Sequence, residues 1–286
     1  MTGSTGNTKY KRIGILVVGL ATGCLISGCI ISGGNNSPPI QATRIVQLGG
    51  AMPVDPTLVV QSDNGDIRAN GNAPQLRIVA TITGRGWSEQ QAQELIGQVG
   101  IDLKTSGQKV VIQANKPLGD LANTISISYD ISVPNPCGLE LTSHNGAIRI
   151  EATQGTIHAE SHNGSVEVIA SNGPTVARSH NGKITVLQFT GDIEATTNNG
   201  GVELVQAESG APAARIHAVS HNGSIHLTTV PGLSAKAHIQ THNGSIRCDR
   251  PISVIGEIDK QNLNGIIGSG AGELSLETHN GSIHIR

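Results

Sequence analysis

The chain has 286 residues, 37 of them glycine, a formal net charge of −2, and no aromatic residues beyond Tyr10, Trp87, Tyr129 and Phe189. That length suits one long repetitive domain or two modest ones. The absence of a basic stripe interleaved with aromatics argues against nucleic-acid binding, and there is no acidic tail.

Lys9, Lys11 and Arg12 precede an apolar run from Ile13 to Ile31, the pattern of an export signal. The run ends in Leu25-Ile26-Ser27-Gly28-Cys29, which resembles a bacterial lipobox and marks Cys29 for lipidation, with residues 1–28 as the signal peptide. Cys24 fits less well, because Ala21 stands where a larger aliphatic is usual. The competing reading is an uncleaved anchor, since nineteen largely apolar residues can just span a bilayer. Both readings put the rest of the chain outside the cytoplasm, in the cell envelope, on an outer-membrane, periplasmic or surface face. Residues 29–40, with Ser-Gly-Gly-Asn-Asn-Ser-Pro-Pro at 32–39, read as a flexible tether.

Residues 41–136 are less regular. Strands are predicted at Thr57–Gln61, Ile67–Ala69, Leu76–Thr83, Val110–Ala114 and Ile125–Val133. One helix is predicted, Ser88–Val99, capped by Ser88 and burying Ala92, Leu95, Ile96 and Val99 on one face. It is expected to plug or flank the first coils, hiding unpaired strand groups.

From residue 137 to 286 one phrase recurs, Ser/Thr-His-Asn-Gly-x-Ile/Val, beginning at Ser143, Ser161, Ser179, Ser220, Thr241 and Thr278. Degenerate copies stand at Ser62–Ile67, at Thr197–Val202 and around Asn264-Gly265-Ile266. Between Gly146 and Gly200 a glycine falls every nine residues, and a fixed period is the mark of stacked architecture. Two and four residues past each glycine stand apolar side chains such as Ile148 and Ile150, or Val166 and Val168. Between them lie Arg149, Glu167, Thr185, Glu203, His226, Arg247 and His284. That is the alternation of a half-buried strand. The half-beat supplies a second strand, as in Ile157 and Ala159 or Ile193 and Ala195. A flat meander of such strands would leave its apolar face uncovered. Winding the chain stacks each Ile or Val on its equivalent about 4.8 Å away, so two or three sheets bury one another. The predicted fold is therefore all-β: a single-stranded parallel β-helix, or solenoid, with coils of about 18 residues, continuous with the strands before it. It is right-handed by the general crossover preference. Asn-Gly suits the turns because both residues tolerate positive φ. A hexapeptide helix needs a period of six, and a calcium-binding roll needs Gly-Gly-x-Gly-x-Asp turns; neither is present. The scarcity of aromatics fits an interior too narrow for rings.

Alternating strands, a Ser-led helix, an entry strand ending in Val133-Pro134, and then Leu-Thr-Ser-x-Asn-Gly-x-Ile coils resemble the putative-adhesin family of bacterial envelope proteins, domain of unknown function 4097, in a lipoprotein form. The resemblance spans about Leu58 to Arg286 and implies an adhesin-like envelope protein. This chain differs in writing His before the turn.

The turn residues Asn145, Gly146, Asn163, Gly164, Asn181, Gly182, Asn222, Gly223, Asn243, Gly244, Asn280 and Gly281 are expected to stack as a structural ladder. The Ser or Thr that opens each phrase is expected to bond to turn backbone. His144, His162 and His180 would form a column, and His221 and His242 a second, shorter one. Imidazoles about 5 Å apart are candidates to bind zinc or copper, or to respond to pH. The plainer reading makes them polar residues copied with the repeat, since Asn198 and Leu263 interrupt the column and no fixed carboxylate or cysteine completes a metal set. Cys137 and Cys248 lie about 24 Å apart by coil counting, too far for a disulfide.

No Ser-His-Asp order with its elbow, P-loop or dinucleotide fingerprint appears, so no catalytic residue and no cofactor is assigned. Glu167 and Glu203, the best carboxylate pair for a β-helix hydrolase, are separated by Thr185, roughly 9.6 Å apart. The leading expectation is a non-enzymatic, lipid-anchored scaffold or adhesin-like surface. Its partners are the membrane through its N-terminal lipid, and a polysaccharide, an envelope protein or a second copy. A metal- or pH-responsive histidine protein is the alternative, and a polysaccharide-active β-helix enzyme comes third. The chain ends mid-strand at Gly281-Ser282-Ile283-His284-Ile285-Arg286, so the terminal coil is expected to offer an open edge for self-association.

Overall fold

The computed structural model describes residues 38–117, 123–255 and 259–286. Cys24, Cys29, the export signal and most of the tether lie outside the described residues. Among those described there are 23 strands and one helix, in two sheets. The first sheet runs, in spatial order, Ile40–Gly50, Leu76–Gly86, Ile125–Ser132, Ile67–Asn70, Ile148–Glu151, Val166–Ile169, Ile184–Phe189, Val202–Gln206, Ile225–Thr228, Ile283–Ile285 and Ile246–Cys248. The second runs Ser253–Val254, Asn262–Ile267, Ala235–Asn243, Gly272–Asn280, Arg215–Asn222, Ile193–Thr197, Thr175–Ser179, Ile157–Ser161, Gly138–Asn145, Thr57–Asn64, Lys109–Asn115 and Gly100–Ser106.

Each coil gives one strand to each sheet, and equivalent residues pair in parallel register. Ile148 pairs with Val166, Val166 with Ile184, Ile184 with Val202 and Val202 with Ile225. Ala159, Ala177, Ala195 and Ala218 line up likewise in the other sheet. All of these side chains are buried. The fold is a parallel β-solenoid of two sheets, with a dry apolar interior down its axis.

Rings do enter the core where a coil departs from the repeat. Tyr129 and Phe189 are both fully buried. Phe189 follows a register shift at Gln188, whose φ is +56°, and takes the place that Thr153 and Ser171 hold in the two coils before it.

At the N-terminal end, antiparallel strands thicken both sheets: Ile40–Gly50 and Leu76–Gly86 on one, Gly100–Ser106 on the other. Ile40–Gly50 and Gly100–Ser106 carry mostly exposed or half-buried side chains, so they lack the clean alternation that reveals a strand in sequence. The helix spans Glu89–Gly97, and Ser88 caps it by accepting the Gln91 N–H at 3.1 Å. Its buried face of Ala92, Leu95 and Ile96 lies against Leu76–Gly86 and Ile40–Gly50. Arg44 donates to the Val99 carbonyl just past the helix end.

The C-terminal end differs from the sequence expectation. Strands Ala235–Asn243 and Ile246–Cys248 do not stack on the preceding coil. The last coil, Gly272–Asn280 and Ile283–Ile285, lies between that coil and Arg215–Thr228, paired in parallel with both. The terminal coil therefore has neither edge free. The rod ends instead at Ile246–Cys248 in one sheet and, in the other, at an antiparallel cover formed by Asn262–Ile267 and Ser253–Val254. Asn264-Gly265-Ile266, which reads as a degenerate coil turn, lies inside this antiparallel cover. Packing decides the order. The last coil offers Leu274 and Leu276 to the core where the coil before it offers Ala237 and Ile239, so the bulkier pair takes the fully enclosed place.

Candidate binding surface

Along one corner of the rod every coil turns at its Ser/Thr-His-Asn-Gly phrase. The reason for glycine here is close approach. Gly164 and Gly182 do not have positive φ, contrary to the expectation for an Asn-Gly turn. A Cβ on Gly164 would sit 2.0 Å from the Gly146 carbonyl oxygen, and one on Gly182 2.1 Å from that of Gly164. At this corner Gly65, on the first rung, does have a positive φ of +131°, while Gly155, Gly173, Ala152, Ala170 and Gln188, also at positive φ, lie at other corners.

Two hydrogen-bond ladders run through this corner. The hydroxyls of Ser161, Ser179, Thr197 and Ser220 donate to the carbonyls of Gly146, Gly164, Gly182 and Gly200 at 2.8–2.9 Å. The ladder continues from Thr278 to Gly223 and from Thr241 to Gly281, both at 2.7 Å. Beside it the asparagine amides run unbroken in the order Asn64, Asn145, Asn163, Asn181, Asn199, Asn222, Asn280 and Asn243. Each Nδ2 donates to the Oδ1 of the rung before at 2.7–2.9 Å. A side-chain amide suits this role because it carries a donor and an acceptor at once.

Outside the asparagines stand the histidines, all exposed. His144, His162 and His180 stack with ring centroids 4.8 and 4.7 Å apart and planes within 6° of parallel. The second stack has three members: His279 lies between His221 and His242, at 4.8 and 4.7 Å. His279 joins this stack only through the intercalation of the last coil. Asn198 separates the two stacks and bonds to His180 Nδ1 at 2.8 Å, while Leu263 belongs to the antiparallel cover and interrupts nothing. In parallel rings the nitrogen lone pairs run side by side, so they do not converge on one ion about 2.0–2.1 Å from each. Among the described residues no group of three or more His, Cys, Asp or Glu has the geometry to hold a metal.

On the outward face of the first sheet, Glu167, Thr185 and Glu203 stand in one row, as coil counting places them. Each carboxylate is in an ion pair, Glu167 with Arg149 and Glu203 with Lys183 at 2.6 Å. Farther along, Asp249 accepts from Arg247 at 2.8 Å and pairs with His284 at 2.9 Å. Those two bonds, Arg247 first, hold the Asp249 carboxyl below the usual carboxylate range. On the second sheet an open trough of about 590 Å³ crosses the intercalated coils, lined by Arg215, Lys236, His238, Glu273 and Ser275 among others. Cys137 and Cys248 are free thiols. The coil order puts them six rungs apart, one more than sequence counting gives, or roughly 29 Å. Burial pushes the Cys137 thiol up to about 11.

No protein-family model matches the chain, and no curated protein does. Two solved structures are similar in strand arrangement. A putative cell adhesion protein from Clostridium sporogenes is 12% identical, with a TM-score of 0.38 over 86% of this chain and 97% of that one. A putative adhesin from Bacteroides fragilis is 12% identical, with a TM-score of 0.48 over 85% of this chain and 97% of that one. At these values neither carries an argument about what this chain binds.

Proposed function

We propose that this protein is a non-enzymatic, lipid-anchored component of a bacterial cell envelope, whose straight histidine–asparagine corner is an adhesive surface for a repetitive polymer. The observation that carries the reading is the corner itself. It is a row of exposed asparagine amides bonded in register over eight rungs, flanked by two stacks of three exposed imidazoles. Each ladder asparagine between the two ends uses one N–H and one lone pair within the row and keeps the others for a partner. A rigid row loses little conformational freedom on binding, and its repetition favours a polymer with repeated polar groups, such as a polysaccharide. The Cys29 lipobox and the tether after it support display from a membrane.

A glycan array probed with the soluble part of the chain tests the surface. Retention on a polysaccharide that is lost in a His144→Ala, His162→Ala, His180→Ala triple variant is expected. Retention indifferent to that variant, or turnover of the bound polymer, would overturn the reading. Fatty-acid labelling in a bacterial host tests the anchor, with label expected in the parent and absent from Cys29→Ser.

A further inference from the structure

Strands Arg215–Asn222 and Ile225–Thr228 form one wall of a slot, and Ala235–Asn243 with Ile246–Cys248 form the other. The chain fills this slot with its own last segment. The walls stand two strand spacings apart, about 9.6 Å, so without the filler they cannot pair with each other. Each would then show two rows of unsatisfied backbone groups.

The filler matches both walls in detail. Leu274, Leu276, Ile283 and Ile285 are fully buried. Thr278 donates to the Gly223 carbonyl on one side, and Gly281 accepts from Thr241 on the other, each at 2.7 Å. Ser282 sits between Ser224 and Ser245, its N–H donating to Ser224 Oγ at 3.2 Å. The reason for the match is that both walls and filler carry the same Gly-Ser-Ile after the turn, at 223–225, 244–246 and 281–283.

In chain order both walls precede the filler, so the slot is defined by residues that do not include it. The joint between cover and filler is short, Gly268-Ser269-Gly270-Ala271, with φ of +60° and +75° at its glycines. Its backbone is held by the Gly270 N–H on the Ile267 carbonyl at 3.2 Å and the Gly272 N–H on the Ser234 carbonyl at 2.8 Å, and one side chain adds to these. Ser234 Oγ accepts from the N–H groups of Ser269 at 3.1 Å and Ala271 at 3.2 Å. Released and extended, those four residues reach roughly 14 Å, nearly three coil spacings.

From this arrangement we infer that Gly272–Arg286 is an exchangeable coil, which enters the same slot in a second copy of this chain and links rod to rod. Every bond between filler and walls in the closed monomer is remade in the exchanged pair, and only those of the joint are lost. The balance therefore rests on the joint and on concentration, the conditions under which elements on short hinges swap.

Two variants of the full chain, Ser224→Cys and Ser282→Cys, each adding one cysteine to the four native ones, test this directly. Neighbours in adjacent coils lie within disulfide range, whereas a chain carrying one variant cannot form that link within itself. The two are unfolded, mixed at high concentration, refolded and oxidised. A disulfide-linked heterodimer is expected in the mixture above the level of cross-linked dimer in either variant alone, a control that accounts for the native Cys24, Cys29, Cys137 and Cys248. Ser234→Ala in both chains is expected to raise its yield at least fivefold, since each of the two hydrogen bonds lost represents about that change in population. If circular dichroism shows both variants folded and no heterodimer exceeds the controls, exchange is overturned. A heterodimer whose yield does not rise with Ser234→Ala overturns the assignment of the joint.

Discussion

Replacing Gly164 by Ala tests the physical basis of the rod. The new methyl would start 2.0 Å from the Gly146 carbonyl oxygen, so one coil must retreat by about 1 Å before the contact is tolerable. That movement strains three bonds at the same corner. They are Ser161 Oγ to Gly146 O at 2.8 Å, Asn163 Nδ2 to Asn145 Oδ1 at 2.7 Å, and Asn163 N–H to His144 O at 2.9 Å. Overpacking costs ~1–3 kcal/mol and each net hydrogen bond about 1 kcal/mol. A loss of roughly 4–6 kcal/mol follows, or about 8–12 °C in Tm at ~2 °C per kcal/mol for a chain of this size. Gly97→Ala is the matched control, because nothing lies within 4 Å of its Cβ position at the helix end. It should be neutral or stabilise by up to ~1 kcal/mol. Urea denaturation of both variants measures the difference. Hydrogen exchange should place the damage at the amides of His162 and Asn163, since coils couple mainly to their neighbours. Equal stabilities for the two variants would refute the close-approach account of the glycine column.

Three further outcomes follow from the same geometry. Asn181 donates to Asn163 and accepts from Asn199, both at 2.8 Å, so Asn181→Ala should cost about 1–2 kcal/mol and Asn181→Asp more, because it sets acceptor against acceptor; equilibrium unfolding checks both. Ala170 is exposed with φ at +54°, so Ala170→Gly should relieve more left-handed strain than it adds in unfolded-state entropy; a thermal melt should show ~0.5 kcal/mol of stabilisation, and a loss above ~1 kcal/mol would contradict it. Asp249 has a depressed folded-state pKa, so its contribution is present above the unfolded-state value and lost as pH falls through the lower folded one. The stability gap between the parent and Asp249→Asn at pH 6 should therefore close below about pH 4, measured by urea midpoints across that range.

The sequence alone determined the coil, its period, which side chains face inward, and the ladder of Asn and Ser/Thr at one corner. Those depend on residues close in the chain and on a pattern repeated often enough to leave one way of burying Ile148, Val166 and Ile184 together. It misread the purpose of the turn glycines, because a contact between successive coils leaves the same letter in the text as a left-handed turn. It also could not order the last three coils. The phrases at Ser220, Thr241 and Thr278 are interchangeable locally, and only competition for the enclosed place in the core, where Leu274 and Leu276 outbid Ala237 and Ile239, puts the end of the chain inside the rod. That choice belongs to tertiary packing, and it brings His279 into the second stack and leaves the terminal coil with no open edge.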